Sequence, residues 1–333
     1  MATAGSRHVH AQLRHCGAHD SPGIRHRRSP PVPTKHNRVS RRLGLKTAVA
    51  AAIALPLTST APITATAAPV DRSGRRLEVM SFNLRYASTA EPNSWAARRP
   101  VMRELLRRER LHVIGTQEGL YQQVRDIETD LGPHYDWIGT GRAGGSRDEF
   151  MAIFYDTRRL APVEYDHFWL SDTPDVIGSN TWGGGSIRMV TWVRFRDLAD
   201  GEREFYFLNT HLDNASQNAR ARAADLTAQR IAGLDRSLPL VVTGDFNVAA
   251  HKNPVYDTML GAGLVDTWDT AAKRSKLYAT FHGYRPLIPD GDRIDWVLAT
   301  PGVTAHSASI NTFSVNGQFP SDHLPVQASL SLG

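Results

Sequence analysis

The chain has 333 residues, 41% hydrophobic and 22% charged, with one cysteine. That composition is ordinary for a globular protein of one or two domains, and it excludes collagen-like, disulfide-framework and wholly disordered chains. The net charge of +6 is unevenly placed: residues 1–68 carry ten Lys/Arg against Asp20 alone, a charge of +9 that leaves −3 for the rest. The body therefore has no chain-wide positive field to draw it to a polyanion.

The chain opens on a leader. Ser40-Arg41-Arg42-Leu43-Gly44-Leu45-Lys46 precedes an apolar stretch from Thr47 to Leu57, and small residues follow, with Ala65-Thr66-Ala67 as a cleavage site. Charge, apolar core and small residues in that order read as an export signal over 1–67. Its removal leaves 68–333 as one secreted domain, expected to be a monomer. The apolar run is too short and too alanine-rich for a membrane span, so no transmembrane segment is expected in the mature chain. SRRLGLK resembles a twin-arginine signal, with Gly44 where a bulky apolar residue is usual. An uncleaved amphipathic anchor is the alternative. Residues 1–38 are rich in His, Arg and Pro without periodicity; they read as a long leading region or an over-extended reading frame. Cys16 leaves with the leader, so the mature chain has no disulfide, thiol nucleophile or cysteine metal site.

In the body, short β-branched or aromatic runs bounded by Gly, Pro, Asp or Asn predict strands at 77–82, 113–116, 150–155, 189–195, 205–209, 240–243, 294–299 and 326–330. Ser94 is placed to cap a helix running to about residue 110, with Ala97, Val101, Leu105 and Leu106 on one face. Leu120, Val124, Ile127 and Leu131 step at helical spacing, and 219–234 is an alanine-rich helix. Phe168-Trp169-Leu170 reads as buried strand, and no apolar loop tip stands out. Stretches 141–149, 172–188 and 301–325 read as loops, with Gly183-Gly184-Gly185 a flexible turn lacking the Lys-Ser/Thr of a phosphate loop. Alternating patterns give a layered α/β domain.

The chemistry sits where strands end. The first runs into Asn83-Leu84-Arg85 and the second into Gln117-Glu118. Later strands end in Asn209-Thr210-His211-Leu212-Asp213 and Gly244-Asp245-Phe246-Asn247. Asp295 follows Ile294, and Ser321-Asp322-His323 precedes the last strand. Polar groups leaving several strands at one level can converge in a cleft. Singly, each has a plain reading: an Asx-turn for Asp245 and Asn247, a helix cap or surface charge for Glu118, a satisfied core imidazole for His211 or His323, an orienting partner for Asp295. Six such ends together are not a chance set.

SFNLR, QE, NTHLD, GDFN, RIDWVL and SDHLPV in this order resemble the endonuclease/exonuclease/phosphatase superfamily, over about residues 77–332. Asn93-Ser94-Trp95 with Arg98, Phe154-Tyr155, Arg188 with Thr191-Trp192, and Thr280-Phe281-His282-Gly283 look like its bacterial metal-dependent hydrolases. The resemblance implies a deoxyribonuclease-I-like fold, a four-layer α/β/β/α sandwich of two facing mixed sheets. It implies a phosphoesterase using Mg²⁺ or Mn²⁺, with Glu118 the main metal ligand and Asn83 and Asp322 beside it. Hard oxygen donors suit those ions. It further implies Asp245 as the base on water, Asn247 as its orienter, His323 held by Asp295 as a donor to phosphate, and His211 on the other side as a candidate proton donor. Arg85 stands where other members carry an acid, which favours one dominant metal site. Arg85 and Arg188 read as substrate contacts or ion pairs, Tyr155 as substrate contact or core, and His282 and Trp95 as pocket lining or packing.

The resemblance implies a phosphate-ester substrate. A small phosphorylated metabolite or short phosphodiester needs only a compact pocket. Nucleic acid is the alternative, and it needs a basic track; Arg98-Arg99, Arg107-Arg108, Arg158-Arg159 and Lys273-Arg274 with Lys276 are the basic clusters available. A phospholipid needs an exposed apolar hairpin. A binding protein without turnover is the reading from another class, and the intact set of eight site residues argues against it.

Overall fold

The computed structural model describes residues 76–333. The leader expected over 1–67, with Arg41-Arg42 and its cleavage site, and residues 68–75 of the expected domain lie outside the described residues.

The elements, in chain order, are β1 Leu77–Asn83, α1 Trp95–Glu109, β2 Val113–Gln117, β3 Gly119–Leu120, α2 Tyr121–Leu131, β4 Tyr135–Ile138, β5 Glu149–Phe150, β6 Ile153–Asp156, β7 Leu160–Trp169, β8 Met189–Asp197, β9 Arg203–His211, α3 Gln217–Ala232, β10 Leu240–Asp245, α4 Pro254–Gly261, β11 Val265–Asp266, α5 Thr267–Thr270, β12 Lys273–Arg274, β13 Asp295–Ala299, β14 Thr304–Ile310 and β15 Val326–Ser331. One sheet runs β12-β14-β15-β1-β2-β6-β4 and the other β11-β13-β10-β9-β8-β7. Both are mixed: β1 pairs β2 parallel and β15 antiparallel, while β10 pairs β9 parallel and β13 antiparallel.

Strand alternation sorts the side chains into layers. Leu77, Val79 and Val113 of the first sheet share one buried cluster with Phe205, Phe207, Val241 and Val297 of the second. Met80, Phe82 and Ile114 turn the other way, under Met102, Leu105, Val124 and Ile127 of α1 and α2. Tyr206, Leu208 and Val242 pack beneath α3 and α4 through Ala223, Ile231, Val255 and Met259. The result is the expected four-layer α/β/β/α sandwich.

Ser94 caps α1, accepting from the Ala97 amide at 3.1 Å. Of the strands four residues or longer, three escaped the pattern reading in whole or in part, as did the two-residue β3, β11 and β12. β14 lies within the expected 301–325 loop, where a bulge between Ala305 and Ser307 breaks the alternation. β7 is an edge strand with Pro162 at a bulge; its buried end, Phe168-Trp169, was legible as strand, but its exposed middle from Pro162 to Asp166 carries no hydrophobic signature. β4 has only one fully buried residue, Ile138. The run expected as one strand over 150–155 is broken at Met151-Ala152. The exposed tip that the sequence did not reveal is Val176-Ile177, 55% and 61% exposed.

Candidate active site

Register places the strand ends level with one another. Asn83 pairs with Gln117, and Asp245 pairs with both His211 and Asp295. Asn83, His211, Asp245 and Asp295 are all buried. Asn83 Nδ2 donates to Glu118 Oε1 and to Asp245 Oδ2, each at 2.9 Å, so one amide joins the two sheets' carboxylates. Glu118 Oε2 also accepts from the Tyr86 amide at 3.2 Å. Asp245 Oδ1 accepts from the Asn247 amide at 2.9 Å, so the plain Asx-turn does form, and it faces the cleft. Glu118, Asn247, Arg85 and Tyr284 hold positive φ of 63°, 53°, 51° and 57°. Such backbone costs about 1 kcal/mol or more per residue and collects where geometry outweighs local preference.

The two imidazoles differ. Arg188 Nη1 lies 2.8 Å from His211 Nδ1. Arginine has no acceptor, so it donates, and the proton of a neutral His211 sits on Nε2. That atom is 3.4 Å from Asp245 Oδ2, and the Asn247 side-chain amide stands 2.9 Å from it. Burial and then the Arg188 charge push the His211 pKa well below its ordinary value. Both effects disfavour the charged form of His211. His323 Nδ1 donates to Asp295 Oδ2 at 3.0 Å, and its Nε2 lies 3.8 Å from Asp245 Oδ2. Burial opposes charge on this ring, but Asp295 and Asp245 outweigh it and raise its pKa to about 10. His323 is an imidazolium. Burial and Asp295 push the Asp245 carboxyl upward, with His323 and Asn83 restraining it.

The other expected residues divide. Arg188 is buried beside His211, with Nη2 3.4 Å from Asn214 Oδ1. Arg85 ion-pairs with Asp322 at 3.6 Å and lies over the Tyr284 ring at 4.8 Å. His282 donates from Nε2 to the Ser321 carbonyl at 3.1 Å and packs on Phe319, so it braces the segment carrying Asp322 and His323. Trp95, the first residue of α1, donates to Asp126 of α2 at 2.8 Å and packs into the cluster beneath the two helices. Tyr155 is not at the site. It pairs with Val113 at the far end of β2, packs on Phe195 at 5.1 Å, and donates to Asp136. Its alternation puts it in the apolar layer between the sheets. Within Gly183-Gly184-Gly185, a Cβ on Gly184 would stand 2.8 Å from Asp213 Oδ2, which accepts from the Ser186 amide at 3.2 Å.

Several contributors had weak signals. Arg98, fully buried, donates to the carbonyls of Leu84, Arg85, Tyr86, Asn93 and Pro320, tying the loop after β1 to the loop before His323. Arg142 and Glu149, 2.8 Å apart, lie in a stretch read as loop. Asn209 joins the sheets directly beneath the site. Its Oδ1 accepts from Gln117 Nε2 at 2.7 Å and Thr243 Oγ1 at 3.1 Å; its Nδ2 donates to the carbonyls of Thr116 at 2.8 Å and Ala152 at 3.2 Å. All four of its hydrogen-bonding positions are used. Opposite it, a side chain at Gly115 would collide with Thr243 and Asn209. A polar residue at an inward position of an apolar alternation was the available signal. A cavity of about 890 Å³, lined by Leu234, Leu238, Leu240 and Thr300 among others, opens at the other end of β10 and holds no catalytic group.

A profile of the Endonuclease/Exonuclease/phosphatase family matches residues 80–323. The chain belongs to this family. Among solved structures, a mannosyl-6-phosphatase of Bacteroides thetaiotaomicron superposes with a TM-score of 0.71 at 34% identity, covering 76% of this chain and 99% of its own. A family protein from Bacteroides vulgatus gives 0.73 at 32%, covering 78% and 99%. The human Nocturnin catalytic domain, at 16% identity and TM-score 0.62 over 78% and 95%, shares the fold. No curated protein matches the chain. Enzymes of the endonuclease/exonuclease/phosphatase family are phosphoric ester hydrolases, and this chain is one.

The family is in general divalent-metal dependent, and the donor set fits such an ion. Ligand atoms of Glu118, His211 and Asp245 lie within 4.8 Å of one another, as do those of Asp245, Asp295 and His323. The second group is closed by the imidazolium. In the first, two carboxylates bridged by the Asn83 amide present hard oxygen donors side by side. Asp322 stands outside both groups, paired with Arg85.

Proposed function

We propose that this chain is an exported, Mg²⁺- or Mn²⁺-dependent phosphohydrolase acting on a small phosphorylated carbohydrate. The observation that carries the reading is the level set of Glu118, Asn83, Asp245 and the His323–Asp295 pair, all but Glu118 buried. Glu118, with Asn83 beside it, would hold the ion, which when bound polarises a phosphoryl oxygen and offsets charge at the leaving oxygen. Asp245 accepts the proton of the attacking water, with Asn247 fixing that carboxylate through its amide. His323 and His211 donate from Nε2 to phosphoryl oxygens. Water adds to phosphorus as Asp245 takes its proton, the bond to the alcohol oxygen breaks, the leaving oxygen takes the Nε2 proton of His323, and Asp245, 3.8 Å away, returns its proton to that ring, so alcohol and inorganic phosphate leave.

The mannosyl-6-phosphatase likeness supports a phosphosugar. Three of the four basic clusters have a member already held within the protein, which argues against a continuous nucleic-acid track, while Lys273, Arg274 and Lys276 are exposed. Arg99 is held by Asp126 and Asp130, Arg107 by the Asp130 carbonyl and Arg158 by Asp156. Among the described residues no helix is long and apolar enough to cross a membrane.

The test assays metal-stripped protein on mannose 6-phosphate, bis-(p-nitrophenyl) phosphate and linear DNA, with and without Mg²⁺ or Mn²⁺. Metal-dependent release of phosphate from the sugar ester, with DNA inert, is expected. Faster DNA cleavage would replace this reading with a nuclease, and turnover without metal would refute the metal requirement. For the leader, Arg41→Lys with Arg42→Lys is expected to stop export; normal export would refute the twin-arginine route.

A further inference from the structure

We infer that Phe281 is a stacking platform for the alcohol part of the substrate, a pyranose ring, and therefore a specificity determinant. The inference rests on the phosphosugar reading above.

Phe281 is 43% exposed, although it adjoins some of the most buried residues in the protein. Its ring centroid lies 5.0 Å from that of His323, tilted by 52°. The two residues face each other in an isolated antiparallel bridge. Leu324 donates its amide to the Thr280 carbonyl at 2.7 Å, and His282 donates to the Asp322 carbonyl at 2.9 Å, which fixes that register. Directly opposed residues on antiparallel segments present their side chains on one face. His323 turns its ring toward Asp295 and Asp245, so Phe281 stands over the same cleft.

The platform is rigid. Thr280 is fully buried, and its hydroxyl accepts from the amides of Ile294 and Asp295 at 2.9 and 3.2 Å. The ring is thus anchored to the residue that holds His323. A phenyl face left in water beside a phosphate-binding imidazolium gains by covering a flat apolar surface. The C–H face of a pyranose is such a surface, and its hydroxyls project around the edge. The polar groups for that edge are present. Asp322, next to His323, and Arg85 are both partly exposed, and Arg85 is steadied by the Tyr284 ring. Tyr86, 49% exposed, follows Arg85 and donates its amide to Glu118.

The platform acts on the organic group rather than on phosphorus, so its loss should appear in selectivity. Steady-state kinetics of wild type, Phe281→Ala and Phe281→Tyr would be measured with mannose 6-phosphate, glycerol 1-phosphate and adenosine 5′-monophosphate. Phe281→Ala is expected to raise KM for the hexose ester about tenfold, the scale of one aromatic contact, with kcat within about twofold. The preference for hexose ester over the acyclic ester then falls by the same factor, and Phe281→Tyr restores it. Equal losses on both esters would overturn the inference, because the ring would then only prop His323. An unchanged KM would overturn it too, and a larger effect on the nucleotide would assign the platform to a base. If wild type turns over no hexose phosphate, the phosphosugar reading itself falls and takes this subsite with it. Hydrolysis of the hexose ester with Phe281→Ala unaltered would remove the subsite alone.

Discussion

The space between the two sheets has two halves built on the same strands and the same inward faces. In one half the inward residues are Leu77, Val79, Val113, Phe205, Phe207, Val241 and Val297. Two residues further along, they become Ser81 and Asn83, Gly115 and Gln117, Asn209 and His211, Thr243 and Asp245, and Asp295, all equally buried. Burial alone therefore does not separate core from active site; hydrogen bonding does. The apolar half supplies transfer free energy, about 1.5–3 kcal/mol per large side chain. The polar half is tolerated because its groups are matched, as at Asn209, and in return it holds the candidate-site groups of one sheet against those of the other.

Mutations in each half should separate the two roles. The largest effect on folding belongs to the apolar half: Phe207→Ala should destabilise by about 3–5 kcal/mol in urea unfolding, while the folded fraction keeps its turnover. A parallel collapse of kcat in folded protein would show that the halves are not independent. Next is Glu118→Ala, expected to lower kcat/KM on the order of a hundredfold or more with little change in melting temperature. Undiminished turnover of a folded Glu118→Ala protein would refute its role.

Asn209→Leu tests the junction. It matches the volume but removes all four hydrogen bonds, so a stability loss of about 1–3 kcal/mol is expected. If the clasp positions Glu118 against His211 and Asp245, Mn²⁺ affinity by calorimetry should weaken together with kcat. Unchanged Mn²⁺ affinity would make Asn209 purely structural.

The last effect is the dependence of stability on pH. The folded pKa of His323 is raised to about 10, above the unfolded value of about 6.5. Its stabilisation is fully present below that unfolded value and disappears as pH rises through the folded one. Denaturation of metal-free wild type and His323→Gln should therefore differ more at pH 6 than at pH 10. A gap that widens with pH would show that the ring is neutral.

Much of this was legible in residue order. β-Branched and aromatic runs with Gly, Pro, Asp and Asn punctuation located the central strands, because strands that bury both faces read as short continuous apolar runs. Ser94 marked the start of α1 for the same local reason. The ordered strand ends marked the candidate site, because catalytic side chains must leave the sheets where pairing stops. Other features depended on partners far away in the chain. Tyr155 was assigned to core rather than cleft only by the strand it pairs with. Asn209 became a clasp only when Thr116 and Gln117 came to face it, and Phe281 acquired a site only through His323. The sequence by itself determined which residues alternate, cap and end each strand, since those are short-range preferences of backbone and side chain. Only the tertiary structure decided that Asn83 and Asp245, 162 residues apart, share one amide: alternation specifies the face a residue occupies, and packing of the two sheets specifies what it meets there.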